Sequence, residues 1–151
     1  MIACSLLDEA WFSEVKTPGP VLFVAGGVLY YLQEAQLRAW FGKLADAFPG
    51  AEVFFDACSP RGLRVSNKKV IEAGGMDQGA KLTWALEHAS DLEAWGSRIA
   101  VLEEYPIFRN FKDGLSFRER LGTMVTDALR IMSMVHLRLG REGDPECHVS
   151  N

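Results

Sequence analysis

A chain of 151 residues with 48% hydrophobic and 24% charged side chains carries enough apolar surface to bury a core of its own, which sets aside native disorder. A formal net charge of -4, with no dense Lys/Arg block, excludes a protein that holds nucleic acid mainly by neutralising phosphates. The longest apolar stretch, around Val21 to Leu32, is broken by Gly26 and Gly27, and no basic segment with a cleavage site opens the chain, so neither a membrane span nor a secretory leader is expected.

Cys4, Cys58 and Cys147 are odd in number and far apart, without the close Cys/His spacing of a zinc site or a disulfide framework. The expectation is no metal and a reducing cytoplasm.

In chain order, Pro20 to Ala25 is a nearly continuous apolar run and predicts a first strand buried on both faces of a parallel sheet. From Gln33 to Phe48, the residues Leu37, Trp40, Phe41, Leu44, Ala45 and Phe48 recur at helical steps, and Pro49 and Gly50 stop the helix. Ala51 to Ala57 predicts a second buried strand, and strand, helix, strand at this spacing implies a right-handed crossover between adjacent parallel strands. Ser59-Pro60 opens a helix through Val70, with Ser59 placed as its cap, and Glu72 to Gly79 reads as a Gly-rich loop.

Ser90-Asp91-Leu92-Glu93 predicts a capped helix start ended by Gly96. Ile99 to Tyr105 follows as a third strand with Val101 and Leu102 facing the core and Pro106 at its end. Leu115 to Ile131 predicts a helix weakened by Gly122 and β-branched Thr123, Val125 and Thr126, and Met134 to Leu139 a last strand, antiparallel and closing an edge of the sheet. The whole reads as one α/β domain with an incomplete sheet, free of repeats and linkers.

Several runs carry a resemblance. They are Ile2 to Asp8 with Trp11, Pro20 to Leu32, Phe48 to Asp56, Lys81 to Trp84, Asp91 to Trp95, Glu103-Glu104-Tyr105 and His136-Leu137-Arg138. In order and approximate spacing the chain resembles the leucine carboxyl methyltransferase and polyketide O-methyltransferase family over nearly its whole length. That resemblance implies a class I, Rossmann-like methyltransferase sheet of which this chain supplies strands four to seven, the first three being absent, and S-adenosylmethionine as cofactor.

It also implies roles. Ser5, Leu6 and Leu7 would flank the adenine and Asp8 would meet its amino group, although Asp8 equally suits an ordinary helix cap. Gly26 and Gly27 would lie beside the methionine portion of the cofactor, and at Gly26 the resemblance leads one to expect a Glu. Losing that carboxylate removes a charge-assisted hydrogen bond worth about 1.5–3 kcal/mol, so the cofactor should bind weakly. Neither Gly26-Gly27 nor Gly74-Gly75 forms the Gly-rich strand-to-helix turn of a dinucleotide site.

Tyr30 and Tyr31 follow the first strand, where open α/β sheets place ligands, and suit either a methyl-transfer pocket or packing at its rim. Asp56 and Arg61, at the end of the second strand, would orient a carboxylate or phenolic acceptor. Lys81 and Trp84 match the family's segment ahead of its sixth strand and would belong to the acceptor side, though an exposed Lys and a buried Trp need no such role. His88, His136 and His148 sit in no nucleophile motif and are assigned no catalytic part.

The resulting reading is an O-methyltransferase acting on a small carboxylate or phenolic acceptor, with a non-catalytic oligomerisation or interaction module as the alternative. A bare first strand presents unpaired backbone groups, so a homodimer covering Val21 to Ala25 is expected.

Overall fold

The computed structural model describes residues 3–17, 19–68, 81–96, 98–109 and 114–140. The expected loop Glu72 to Gly79 with Gly74-Gly75, the last residues of the helix expected through Val70, Cys147 and His148 lie outside the described residues.

The crossover forms as expected. Strand β1 (Leu22–Ala25) leads through a short 3-10 turn (Leu29–Tyr31) to helix α1 (Glu34–Ala47) and strand β2 (Glu52–Cys58), and β1 pairs with β2 in parallel, Leu22 opposite Glu52 and Ala25 opposite Phe55. Gln36 closes the start of α1 by accepting from the Gln33 N–H at 2.9 Å. Leu37, Trp40, Phe41, Leu44 and Ala45 are all buried, so the helical period seen in the sequence is the face that meets the sheet. Gly50 takes a left-handed φ of 82° and donates its N–H to Leu139 O, turning the chain into β2.

Helix α2 (Pro60–Ser66) is capped by Ser59, whose Oγ accepts from Gly62 N at 3.1 Å. A 3-10 turn (Ala89–Trp95) precedes strand β3 (Ile99–Pro106), helix α3 (Phe117–Ala128) follows, and strand β4 (Met132–Leu139) completes a sheet of order β1-β2-β4-β3.

Four expectations are corrected here. β4 is antiparallel but does not close an edge: it lies between β2 and β3 and pairs with both. Its fully buried Val135, Leu137 and Leu139 belong in the middle of a sheet, where backbone groups on both sides find partners. β1 is not buried on both faces. Phe23 and Ala25 pack on the core, whereas Leu22 and Val24 are 57% and 70% exposed, because α1 and the turn Ala89–Trp95 cover one face of the sheet and leave the other open at β1.

Leu102 is exposed rather than in the core. The register slips between Val101 and Glu103, which face Leu137 and His136 in succession, and Leu102 is the extra residue pushed outward by this bulge. Finally, the start of the turn before β3 is closed by Asp91 Oδ2 accepting from the His88 N–H at 3.2 Å, two residues earlier than the Ser90 cap expected. Ser90 lies inside the turn, and Glu93 instead accepts from Val101 N at 3.0 Å beside the bulge.

The core joins α1, the turn before β3 and the covered face of the sheet, with Leu29, Leu37, Phe41, Leu44, Val53, Phe55, Leu92, Val135, Leu137 and Leu139 fully buried. Each such side chain contributes about 1.5–3 kcal/mol by leaving water. α3 buries no residue and leaves Phe117, Leu121, Met124 and Val125 exposed. No helix among the described residues is long and apolar enough to cross a membrane.

Candidate functional site

The parallel strands β1 and β2 end side by side, and in an open α/β sheet the crevice beyond those carboxyl ends is where ligands sit. After Ala25 the chain turns at Gly26 and Gly27. Gly27 adopts φ 72°, a left-handed conformation that favours glycine, and its N–H donates to Asp56 Oδ1 at 2.6 Å, tying the end of β1 to β2. Asp56 is the one buried charged residue among those described, at 8% exposure.

Leu29, buried in the core, anchors the 3-10 turn that carries Tyr30 and Tyr31, whose ring centroids lie 5.0 Å apart. The Tyr30 carbonyl accepts from Thr83 N at 2.8 Å and Trp84 N at 3.2 Å, and Leu86 N donates to Cys58 O at 2.9 Å. These bonds draw the segment 83–86 against the ends of both strands. Cys58 Sγ donates to Trp84 O at 3.6 Å within the same cluster.

The electrostatics are those of a partly dehydrated mouth. Burial, then the charge of Asp56, then Tyr31 and Cys58, push the Tyr30 phenol above its ordinary value, so it stays protonated at neutral pH and acts as a donor. Burial, reinforced by Asp56, pushes the Cys58 thiol up to about 11, which leaves it neither a thiolate nor a nucleophile near neutrality.

Of the residues singled out from the sequence, Gly26, Gly27, Tyr30, Tyr31 and Asp56 therefore gather at one mouth. Trp84 reaches it through its backbone, while its ring is 3% exposed and packs against Phe55 and Trp95 in the core. Arg61 on α2 and Lys81 are exposed, with no ion pair among the described residues.

Ser5, Leu6, Leu7 and Asp8 belong to a different neighbourhood. Asp8 Oδ1 accepts from Ala10 N at 2.9 Å and caps the 3-10 turn Glu9–Glu14, and Ser5 Oγ accepts from Leu7 N at 3.3 Å. Leu6 and Leu7 pack against the core, Leu7 beside Trp40 and Lys43 of α1. His136 stands on the sheet, bonded through Nε2 to Glu52 at 2.8 Å, a satisfied structural histidine. Cys58 had not been singled out from the sequence; its signal was its place two residues beyond Asp56 on a buried strand.

No protein-family model matches the chain. Over 95 residues, 62% of this chain, it is 30% identical to the tetracenomycin polyketide synthesis O-methyltransferase TcmP of Streptomyces glaucescens, of which it covers 34%. Among solved structures it is similar to a DUF574 family protein from Streptomyces avermitilis MA-4680, with a TM-score of 0.56 at 11% identity, over 90% of this chain and 53% of that one. It is also similar to a protein solved in work on the conversion of a disulfide bond into a thioacetal group during echinomycin biosynthesis, with a TM-score of 0.52 at 16% identity, covering 91% and 55%. The chain shares the α/β fold of these solved neighbours, a mixed four-stranded sheet with helices. It spans about a third of the curated methyltransferase it matches and about half of these solved neighbours. Within this sheet, Gly26, Gly27, Tyr30 and Asp56 gather at the carboxyl ends of the parallel strands β1 and β2.

Proposed function

We propose that this chain forms the carboxyl-terminal half of an S-adenosylmethionine-dependent O-methyltransferase whose acceptor is a small carboxylate or phenol. The 30% identity to a polyketide O-methyltransferase supports the reaction class. The residues present fit one wall of the cofactor. Gly26 and Gly27 are exposed, and an added Cβ at Gly26 would meet nothing within 4 Å, so the backbone at the end of β1 is open to close approach. Bound there, the cofactor supplies an electrophilic methyl group.

The observation that carries the acceptor assignment is the protonation of the mouth. The Tyr30 phenol, raised by burial and by Asp56, stays a donor at neutral pH at the ends of β1 and β2, whereas the buried Cys58 thiol already donates to Trp84 O. Of the two acceptors, a donor such as Tyr30 favours the oxygen that arrives already ionised, a carboxylic acid with an ordinary value of about 4, over a phenol near 10. The chain's own part is then positioning: Asp56 fixes the Gly27 turn, Tyr30 offers a hydrogen bond, and the buried Leu29 holds the tyrosine pair in place.

Methyl transfer from labelled S-adenosylmethionine to benzoate, compared with phenol, tests the reading. Label in the benzoate ester, reduced about tenfold in Tyr30→Phe, is expected. Transfer to neither acceptor, in wild type at high protein concentration, contradicts it.

A second reading, an interaction module without turnover, is favoured by Gly26 in the place of the expected carboxylate and by the exposed face of β1. We also propose that a second copy of this chain pairs along β1, and the two free cysteines described, Cys4 and Cys58, accord with a reducing cytoplasm.

A further inference from the structure

A cavity of about 430 Å³ opens between the segment after β3 and helix α3, apart from the mouth described above. Its position follows from topology. β4 is antiparallel to both β2 and β3, so β3 runs in the same direction as β2 and its carboxyl end lies on the same rim of the sheet. Cys58 faces Met132, and Ile107 N donates to Met132 O at 3.2 Å, which aligns the two ends across β4. Two strand spacings of about 4.8 Å separate β2 from β3, so the end of β3, beside which the cavity opens, lies roughly 10 Å along the rim from the end of β2.

Its lining has two kinds of surface. Phe108 and Met124 offer apolar walls, and Arg109 and Arg120 bring two guanidinium groups. The single carboxylate among the described lining residues, Asp127, is engaged through Oδ1 by the Phe108 N–H at 3.2 Å, which also fastens the segment after β3 to the helix. Arg109 has a distant partner, Glu103 at 3.9 Å, with both side chains more than half exposed, a pairing weak enough to yield to a better anion. Arg120 has no carboxylate within 4 Å among the described residues.

We infer that this cavity is an acceptor subsite for an aromatic compound carrying an anionic group remote from the oxygen that reaches the mouth at Tyr30. Arg109 and Arg120 hold the anion and Phe108 and Met124 flank the ring system. This rests on the methyltransferase reading for its meaning, since it names the class of acceptor, but the subsite is tested without the cofactor.

The probe is 2,6-naphthalenedicarboxylate, titrated by calorimetry into the protein with no S-adenosylmethionine present. Saturable submillimolar binding is expected, weakened about tenfold or more in Arg109→Gln and in Arg120→Gln, and to a similar degree when the diamide replaces the dicarboxylate. Both arginines are exposed, so the variants keep the fold, which circular dichroism checks. Absence of saturable binding, or equal affinity in the variants or for the diamide, overturns the subsite. If instead the subsite binds its probe and labelled methyl is not transferred, the methyltransferase reading fails alone.

Discussion

At Gly62 the space for a side chain is already taken. A Cβ there would run into the backbone carbonyl of Ile131, which is itself held by the Ser59 N–H at 3.1 Å. Gly62→Ala is therefore expected to lower stability by about 1–3 kcal/mol, read from urea unfolding, and a neutral result would mean that the junction of α2 and β4 is looser than described. Glu52 carries the other argument at this scale. Burial acts to raise its carboxyl, but hydrogen bonds from Arg138 and His136 outweigh that and hold it below its ordinary 4.5. A depressed folded value stabilises the protein above the unfolded one, and the contribution fades as pH falls through the folded value. Wild type should exceed Glu52→Gln in stability at about pH 7, with the gap closing as pH falls below the ordinary carboxylate range; an unchanging gap would deny the linkage. Neither feature was legible in the sequence, because Gly62 with Ile131, and Glu52 with His136, are brought together by the sheet.

Elements were legible where one periodicity decided them. The helical spacing of Leu37, Trp40, Phe41, Leu44 and Ala45 marked α1 and its buried face, and the crossover to β2 followed. Alternation in β4 marked a strand but held nothing about its neighbours, so its place inside the sheet had to come from the structure. The apolar run of β1 suggested burial on both faces, whereas Leu22 and Val24 on one face are exposed; its place at an edge of the described sheet is as expected. Such an edge invites pairing with a second copy. Light scattering should find a dimer at micromolar concentration, converted to monomer by Leu22→Lys with Val24→Lys; a wild-type monomer would contradict the pairing.

For the molecule as a whole, the mouth at the end of β1 and β2 was half legible. Gly26, Gly27, Tyr30, Tyr31 and Asp56 follow apolar strands and are found together, while the Gly27–Asp56 bond, the Thr83 and Trp84 anchor on Tyr30 and the arginine-lined cavity join distant parts of the chain. Asp8, read as a cofactor contact or a cap, is engaged as a cap. If this mouth is one wall of a cofactor site, titration with S-adenosylmethionine reveals it. Room for a side chain at Gly26 makes the comparison sharper, since Glu enters there without a clash at its Cβ. The wild-type chain should bind weakly but saturably and Gly26→Glu about tenfold to a hundredfold more tightly, the worth of one charge-assisted hydrogen bond. Saturation by neither protein would contradict the account.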